Sequence, residues 1–190
     1  MSGDPKNAAV WANADVYIGA LDAVDPVGGA PFGSDWDAVG LLNGDDGFDE
    51  KIATDSNDFY AWGGILVATT RKNFKLTRSF TAYEDNATVF DLWYPGHDVT
   101  FNPDGYAGTI NVPDLQAKFK IAFETRQGSQ IKRVISKNYA QVDERGDSKE
   151  GEGDLASRAF TVAIYPAAVN PVTGKAALFA TYRGPATSGE

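Results

Sequence analysis

Between Lys72 and Gly96 the chain reads KNFKLTRSFTAYEDNATVFDLWYPG, and its hydrophobic period changes once. Phe74, Leu76, Phe80 and Ala82 share one parity, while Asn73, Lys75, Thr77, Ser79 and Thr81 take the other. Side chains alternate across a strand, so this spacing predicts a strand with one apolar and one polar face. Arg78 interrupts the apolar row, which marks either a strand end leaving the core or a charge at a subunit contact. At Glu84-Asp85-Asn86 the period lengthens, and Ala87, Phe90, Asp91, Leu92 and Tyr94 follow helical spacing. Asp85 or Asn86 supplies the N-cap, and Pro95-Gly96 stops the helix. A chain built around this stretch has a long two-faced strand, a short helix and strands on both sides.

The remaining segments read mostly as strands. Asp15 to Leu21 places Val16, Ile18 and Ala20 on one face, and Trp36 to Asn43 is a second strand. Residues 22–35 hold two prolines and three glycines and form a long loop. Asn43-Gly44-Asp45-Asp46-Gly47 is turn chemistry, Phe48 to Thr54 is placed to pair back as a hairpin, and Asp55 to Asp58 is a polar loop. Phe59 to Thr70 is strand-like with a bulge at Gly63-Gly64. Val99 to Phe101, a turn at Asn102 to Gly105, and Thr109 to Val112 follow. In Lys118 to Thr125, Phe119, Ile121 and Phe123 point in, whereas Lys118, Lys120 and Glu124 point out. Gln130 to Asp143 is one long β-rich run that changes parity, which predicts a bulge or two partly covered faces. Residues 143–157 are charged and glycine-rich and read as a mobile loop. Arg158 to Tyr165 buries Phe160, Val162 and Ile164, and Ala177 to Arg183 is the last strand.

The fold class is therefore mainly β, an antiparallel sandwich or barrel of about eight to ten strands with one short flanking helix. The expected organisation is an arm at 1–13 and a single domain at 14–184, then a tail at 185–190. Long loops are expected within that domain at 22–35, 44–58 and 143–157. A chain of 190 residues buries enough core to need no disulfide, and with no cysteine it can form none. The opening residues have no basic segment followed by an apolar one, and no apolar run approaches the roughly 18 residues a membrane span requires. These features predict a soluble protein made in a cytoplasm.

Acidic residues outnumber basic ones 26 to 17, a formal charge of -9, which disfavours general affinity for nucleic acid or anionic lipid. His97 is the only histidine, so no Cys/His zinc set or Cys nucleophile exists, and a Ser-His-Asp triad would have to use a residue at a helix exit. A solvated or capping role suits His97 better. In NGDDGFDE, Asn43 to Glu50, counting back from Gly47 puts Leu42 and Gly44 where an EF-hand needs ligands, so the register fails. No phosphate loop or dinucleotide fingerprint occurs, and no spacing singles out a carboxylate pair. No catalytic, cofactor-binding or metal residue is predicted, and the enzyme reading is poor.

Several pieces taken in order resemble the major tail tube proteins of long-tailed double-stranded DNA phages, particularly siphophages of actinobacterial hosts. They are DVYIGAL, then Trp36 to Ile52 (WDAVGLLNGDDGFDEKI), then Phe59 to Gly64 (FYAWGG), then Phe74 to Gly96. They span residues 15 to 96, about the first half; the second half is similar only in being strands and loops. The resemblance implies a β-sandwich with one flanking helix. Six copies would join sheet edges into a ring with a β-barrel lumen, and stacked rings would form a tube that conducts DNA. It further implies a non-enzymatic virion protein, held in the host cytoplasm before assembly, with tape-measure, tail-tip and tail-terminator partners. DNA would be met in passage only, and no membrane. In such proteins loops and arms mediate ring stacking; the matching stretches here are 1–13, 22–35 and 44–58, expected to order only on assembly. The polar row Asn73, Lys75, Thr77, Ser79 and Thr81 is the expected lumen face. The alternatives are another small phage structural protein, such as a tail terminator or decoration protein, and a carbohydrate-binding sandwich using Trp11, Trp36, Trp62 and Trp93.

Overall fold

The computed structural model describes residues 8–187, and the outer parts of the expected N-terminal arm and C-terminal tail, residues 1–7 and 188–190, lie outside them. The described chain is mainly β, with two antiparallel sheets, a small hairpin and one short helix. The first sheet joins β1 (Asn13–Gly19), β2 (Trp36–Ala38), β7 (Lys120–Gln127), β8 (Gln130–Ser136) and β11 (Phe179–Pro185) in the order β11-β8-β7-β1-β2. The second joins β3 (Asp49–Tyr60), β4 (Leu66–Ala82), β9 (Ala140–Gly151) and β10 (Asp154–Ile164) in the order β3-β4-β10-β9. β5 (Asp98–Asn102) and β6 (Gly105–Thr109) form the separate hairpin.

Alternation builds the core between the two sheets. Val16, Ile121 and Phe123 from the first sheet meet Leu76, Phe80, Phe160, Val162 and Ile164 from the second in one buried cluster. Phe80 stacks on Phe160 with centroids 5.2 Å apart and meets Phe123 edge-on at 6.1 Å. The helix α1 (Ala87–Trp93) closes this core with Val89, Leu92 and Trp93, while Phe90 is buried against Phe101 and Tyr106 of the hairpin. Asn86 is its N-cap: its side chain accepts from Val89 N at 3.0 Å and donates to Val39 O at 2.9 Å. At the other end Arg145 donates to Leu92 O, satisfying a carbonyl the helix leaves open.

Several element boundaries differ from the sequence reading. The expected acidic loop at 44–58 is a loop only as far as Phe48; from Asp49 it is β3, paired residue by residue with β4. Residues 143–157 are not a mobile loop but the ends of β9 and β10 and their turn. Gly63-Gly64 is a hairpin turn rather than a bulge, and the strand after it runs unbroken from Leu66 to Ala82. The run from Gln130 to Asp143 is two strands, and its parity change marks the turn between β8 and β9. The second predicted strand shrinks to Trp36–Ala38. The two loops that are in fact strand share one origin: polar, β-poor residues such as those of Asp55 to Asp58 are strand when a long partner strand supplies their hydrogen bonds.

Candidate assembly surfaces

β4 pairs with β10 only from Leu76 to Ala82, whereas its pairing with β3 continues out to Leu66. From Lys75 to the turn the two strands therefore form a ribbon that pairs only with itself. Two irregularities shape it. Asn73, at φ 56°, and Phe74 together face Thr54, so β4 carries one extra residue there. The Asn73 side chain donates to Asp55 at 2.7 Å and anchors that bulge. The bulge also ends the alternation: Leu76, Phe80 and Ala82 are buried as predicted, but Phe74 is half exposed. A second shift lies beside the turn, between Phe59 and Tyr60.

The ribbon is apolar where it is most exposed. Every residue from Asp49 to Lys75 is exposed, among them Phe59, Tyr60, Ile65, Leu66 and Val67, with Trp62 fully so. Gly63 and Gly64 turn the chain with φ of 92° and 78°, values that side-chain-bearing residues rarely adopt. An isolated two-stranded hairpin is marginal in water, and a contiguous apolar surface on one marks a place where another molecule packs.

The second sheet has two edge strands, β3 and β9, the latter bridged to Phe119 only at its first residue Ala140, and a face turned away from the core. On that face Ser79 lies opposite Asp49, Thr77 opposite Lys51 and Lys75 opposite Ala53, with Thr161 and Ala163 of β10 alongside. Three of its carboxylates, Asp49, Asp143 and Glu144, line a shallow depression with Lys51 and Lys75. Lys75 is paired to Asp143 at 2.6 Å. Of the predicted polar row, Lys75, Thr77, Ser79 and Thr81 share this face, while Asn73 is taken into the bulge.

The loop 22–35, expected to order only on assembly, is held against the first sheet within the subunit. Glu124 and Arg133 are 2% and 3% exposed and paired, Nε to Oε2 at 2.6 Å. Arg133 also donates to Gly28 O and Ala30 O at 3.0 and 2.8 Å. Lys120 reaches Ala23 O at 2.8 Å and pairs with Asp25, while Phe32 stacks on Tyr17 at 4.0 Å. Lys120 and Glu124 do point away from the main core, as predicted, but into this second buried layer rather than into water.

Arg78 points into the sandwich and is 9% exposed. Its guanidinium lies 4.4 Å from the Phe123 ring centroid, and Glu50 Oε2 is 3.7 Å from Nε, too far for a hydrogen bond. Burial pulls its pKa down, against the opposing pull of Glu50. The alternative of a subunit-contact charge is thus replaced by a buried cation. It is among the residues lining a groove of about 760 Å³, with Trp11, Leu41, Phe48, Phe123, Thr125 and Lys132.

His97 is not solvated: its side chain is 8% exposed, Nδ1 accepts from Val99 N at 3.0 Å, and Nε2 is 3.1 Å from Asp91. Its ring also meets Phe90 and Phe101 edge-on, with centroids 5.3 and 6.2 Å away. No group of three His, Cys, Asp or Glu side chains that could hold a metal occurs among the described residues. No helix among the described residues is long and apolar enough to cross a membrane. The four tryptophans do not form a sugar-binding platform: Trp36 and Trp93 are buried, and Trp62 stands on the ribbon turn.

No protein-family model and no curated protein matches the chain. Among solved structures, a chain of the PVC sheath–tube complex, an extracellular contractile injection system in its extended state, is similar over 93% of this chain and 92% of its own. The TM-score is 0.47 and the sequence identity 9%. The SPP1 tail tube is similar over 90% of this chain and 76% of its own, with TM-score 0.43 and identity 6%. Neither score reaches a level of backbone likeness that carries a functional argument.

Proposed function

We propose that the protein is a structural subunit that polymerises into a tube, a phage tail tube of the kind the first half of its sequence resembles, and that it has no enzymatic activity. The observation that carries this is the ribbon from Lys75 back through Trp62: apolar, paired only with itself, and without a surface of its own subunit to cover it.

Sheet topology supports the same reading. Neighbours in β3-β4-β10-β9 all run antiparallel, so β3 and β9 point in opposite directions. A copy rotated about an axis along the strands brings its β3 beside this β9, again antiparallel. Repetition satisfies both free edges and closes a ring, six copies by resemblance to the family. The polar, net acidic face carrying Thr77, Ser79, Asp143 and Glu144 then lines the bore. Phosphates would meet no cluster of unpaired cations there, and DNA would slide through without binding. In this reading rings stack into a virion tail, with tape-measure, tail-tip and terminator proteins meeting the same surfaces at its ends.

Negative-stain electron microscopy of the concentrated protein, with light scattering beside it, tests the proposal. Hollow tubes or rings of uniform diameter are the expected result. Compact monomers that bind oligosaccharides with a shift in tryptophan fluorescence would overturn it.

A further inference from the structure

The chain has a single histidine, and the hydrogen bonding of its buried ring fixes which nitrogen carries the proton. Nδ1 of His97 accepts from Val99 N at 3.0 Å, so that nitrogen keeps its lone pair and the proton of the neutral imidazole sits on Nε2. Nε2 is buried and 3.1 Å from Asp91 Oδ1 but out of line for a hydrogen bond, and the Asp91 side chain is 71% exposed. The helix end also brings Tyr94, whose carbonyl accepts from His97 N, and β5 brings Asp98, which accepts from Asn111 at 2.8 Å. Asp114 is tied by its backbone to Pro95 O, and Arg158 lies over the Phe90 ring, paired with Asp85. Asp91 is the charge that faces the ring directly.

The ring stands at the root of the β5–β6 hairpin, whose two strands pair only with each other among the described residues. Such a hairpin is marginal by itself and depends on what fastens it to the body. Its fastenings are few. Phe101 and Tyr106 meet Phe90 with centroids 5.4 and 5.0 Å apart, and Tyr106 OH donates to Asp85 at 2.8 Å. Asn111, just past the hairpin, donates to Gly96 O and Asp98. The bond from Val99 N to His97 is the fastening at the first turn of chain, and the ring that makes it also packs on Phe90 and Phe101.

We infer that His97 is a proton-operated latch for this hairpin. A second proton on the ring has only Nδ1 to occupy, which turns the acceptor for Val99 N into a donor and sets two N–H groups against each other. The new charge is drawn to the Asp91 carboxylate, so the ring turns toward Asp91 and leaves both Val99 N and the edge of Phe101. The latch is closed while the imidazole is neutral and opens as pH falls through the range in which imidazoles take a proton, about pH 8 to 5. Opening uncovers Phe90, which is otherwise 2% exposed. The device belongs to the single subunit and is independent of polymerisation.

With one histidine in the chain, nitrogen-15 spectra of the dilute, full-length protein read the ring without assignment. Above neutrality the expected pattern is a bare Nδ1 and a protonated Nε2; a proton on Nδ1 overturns the inference. Amide exchange, corrected for its intrinsic pH dependence, then follows the hairpin. Between about pH 8 and 5.5, protection in β5 and β6 should fall about tenfold or more, the equivalent of one lost hydrogen bond with its donor left unpaired, while β7 and β8 hold theirs. Constant protection in the hairpin, or an equal fall in all four strands, overturns it. Asp91→Asn removes the charge that attracts the imidazolium and should move the midpoint to lower pH; an unmoved midpoint counts against the latch. His97→Asn keeps an oxygen for Val99 N and takes no proton, so its hairpin should show no such transition. The same fall in that variant overturns the inference, and the parent measurements decide it alone if the variant does not fold.

Discussion

Replacing Arg78 by methionine should make the isolated subunit more stable. The charge contributes two favourable interactions: a guanidinium over Phe123 at 4.4 Å, worth up to about 2 kcal/mol in a desolvated site, and a loose pair with the half-exposed Glu50, worth about 0–1 kcal/mol. Against these stand an unsatisfied buried N–H, costing about 1–3 kcal/mol, and desolvation of the cation, costing several kcal/mol more. Methionine keeps most of the stem's volume among Phe48, Phe123 and Phe179, and its sulfur gains about 0.3–1.5 kcal/mol from those rings. The balance favours Arg78→Met by roughly 1–2 kcal/mol, a rise in Tm of about 2–8 °C for a chain of this size. Thermal melts of dilute, monomeric protein measure this. Arg78→Ala is the control, losing the stem's packing as well, and should melt lower than the parent. A methionine variant that melts several degrees below the parent would refute the reasoning, because the cation would then be a net stabiliser of the subunit.

Other consequences can be checked separately. Glu124→Gln leaves the buried Arg133 without its counter-charge and should cost about 3–5 kcal/mol; limited proteolysis should then cut within 22–35 in the variant and spare that loop in the parent. Burial raises the Asp25 carboxyl, but the hydrogen bonds and charges of Lys120 and Lys137 outweigh this and hold it below its ordinary 3.8. Its contribution is therefore complete above that value and is lost as pH falls through the depressed folded value; Asp25→Asn should remove that part of the acid dependence in melts below pH 4. Gly40→Ala should destabilise by about 1–3 kcal/mol, because φ is 92° there and the new methyl would strike the Glu84 carboxylate that holds Leu41 N. Chymotrypsin should cleave the monomer at Phe59, Tyr60 or Trp62 and spare those bonds in the polymer; equal cleavage in both would argue against a covered ribbon.

Much of the fold is legible in local patterns. The alternation of Leu76, Phe80 and Ala82, and of Ile121 and Phe123, identifies core faces because a strand has only two sides. Asn86 and Pro95-Gly96 bracket the helix because capping and termination are decided within a turn of chain. The ribbon was not legible. Asp55 to Asp58 carries the composition of a loop, and only the register with Thr69 to Lys72 makes it strand. The parity of Phe74 was lost for the same reason, since the bulge at Asn73 is a property of the pairing.

The sequence by itself determined a mainly β chain with one short helix, an acidic balance, and no cysteine or histidine cluster for chemistry. These follow from periodicity and composition, which act between neighbouring residues. Only the tertiary structure decided that Arg78 is a buried cation facing a groove, and that Lys120, Glu124 and Arg133 form a second buried layer under 22–35. It alone decided, too, that the strands on either side of Trp62 leave the body as a ribbon. Burial and projection depend on which distant segments arrive beside a residue, and a one-dimensional pattern of polar and apolar positions does not contain that.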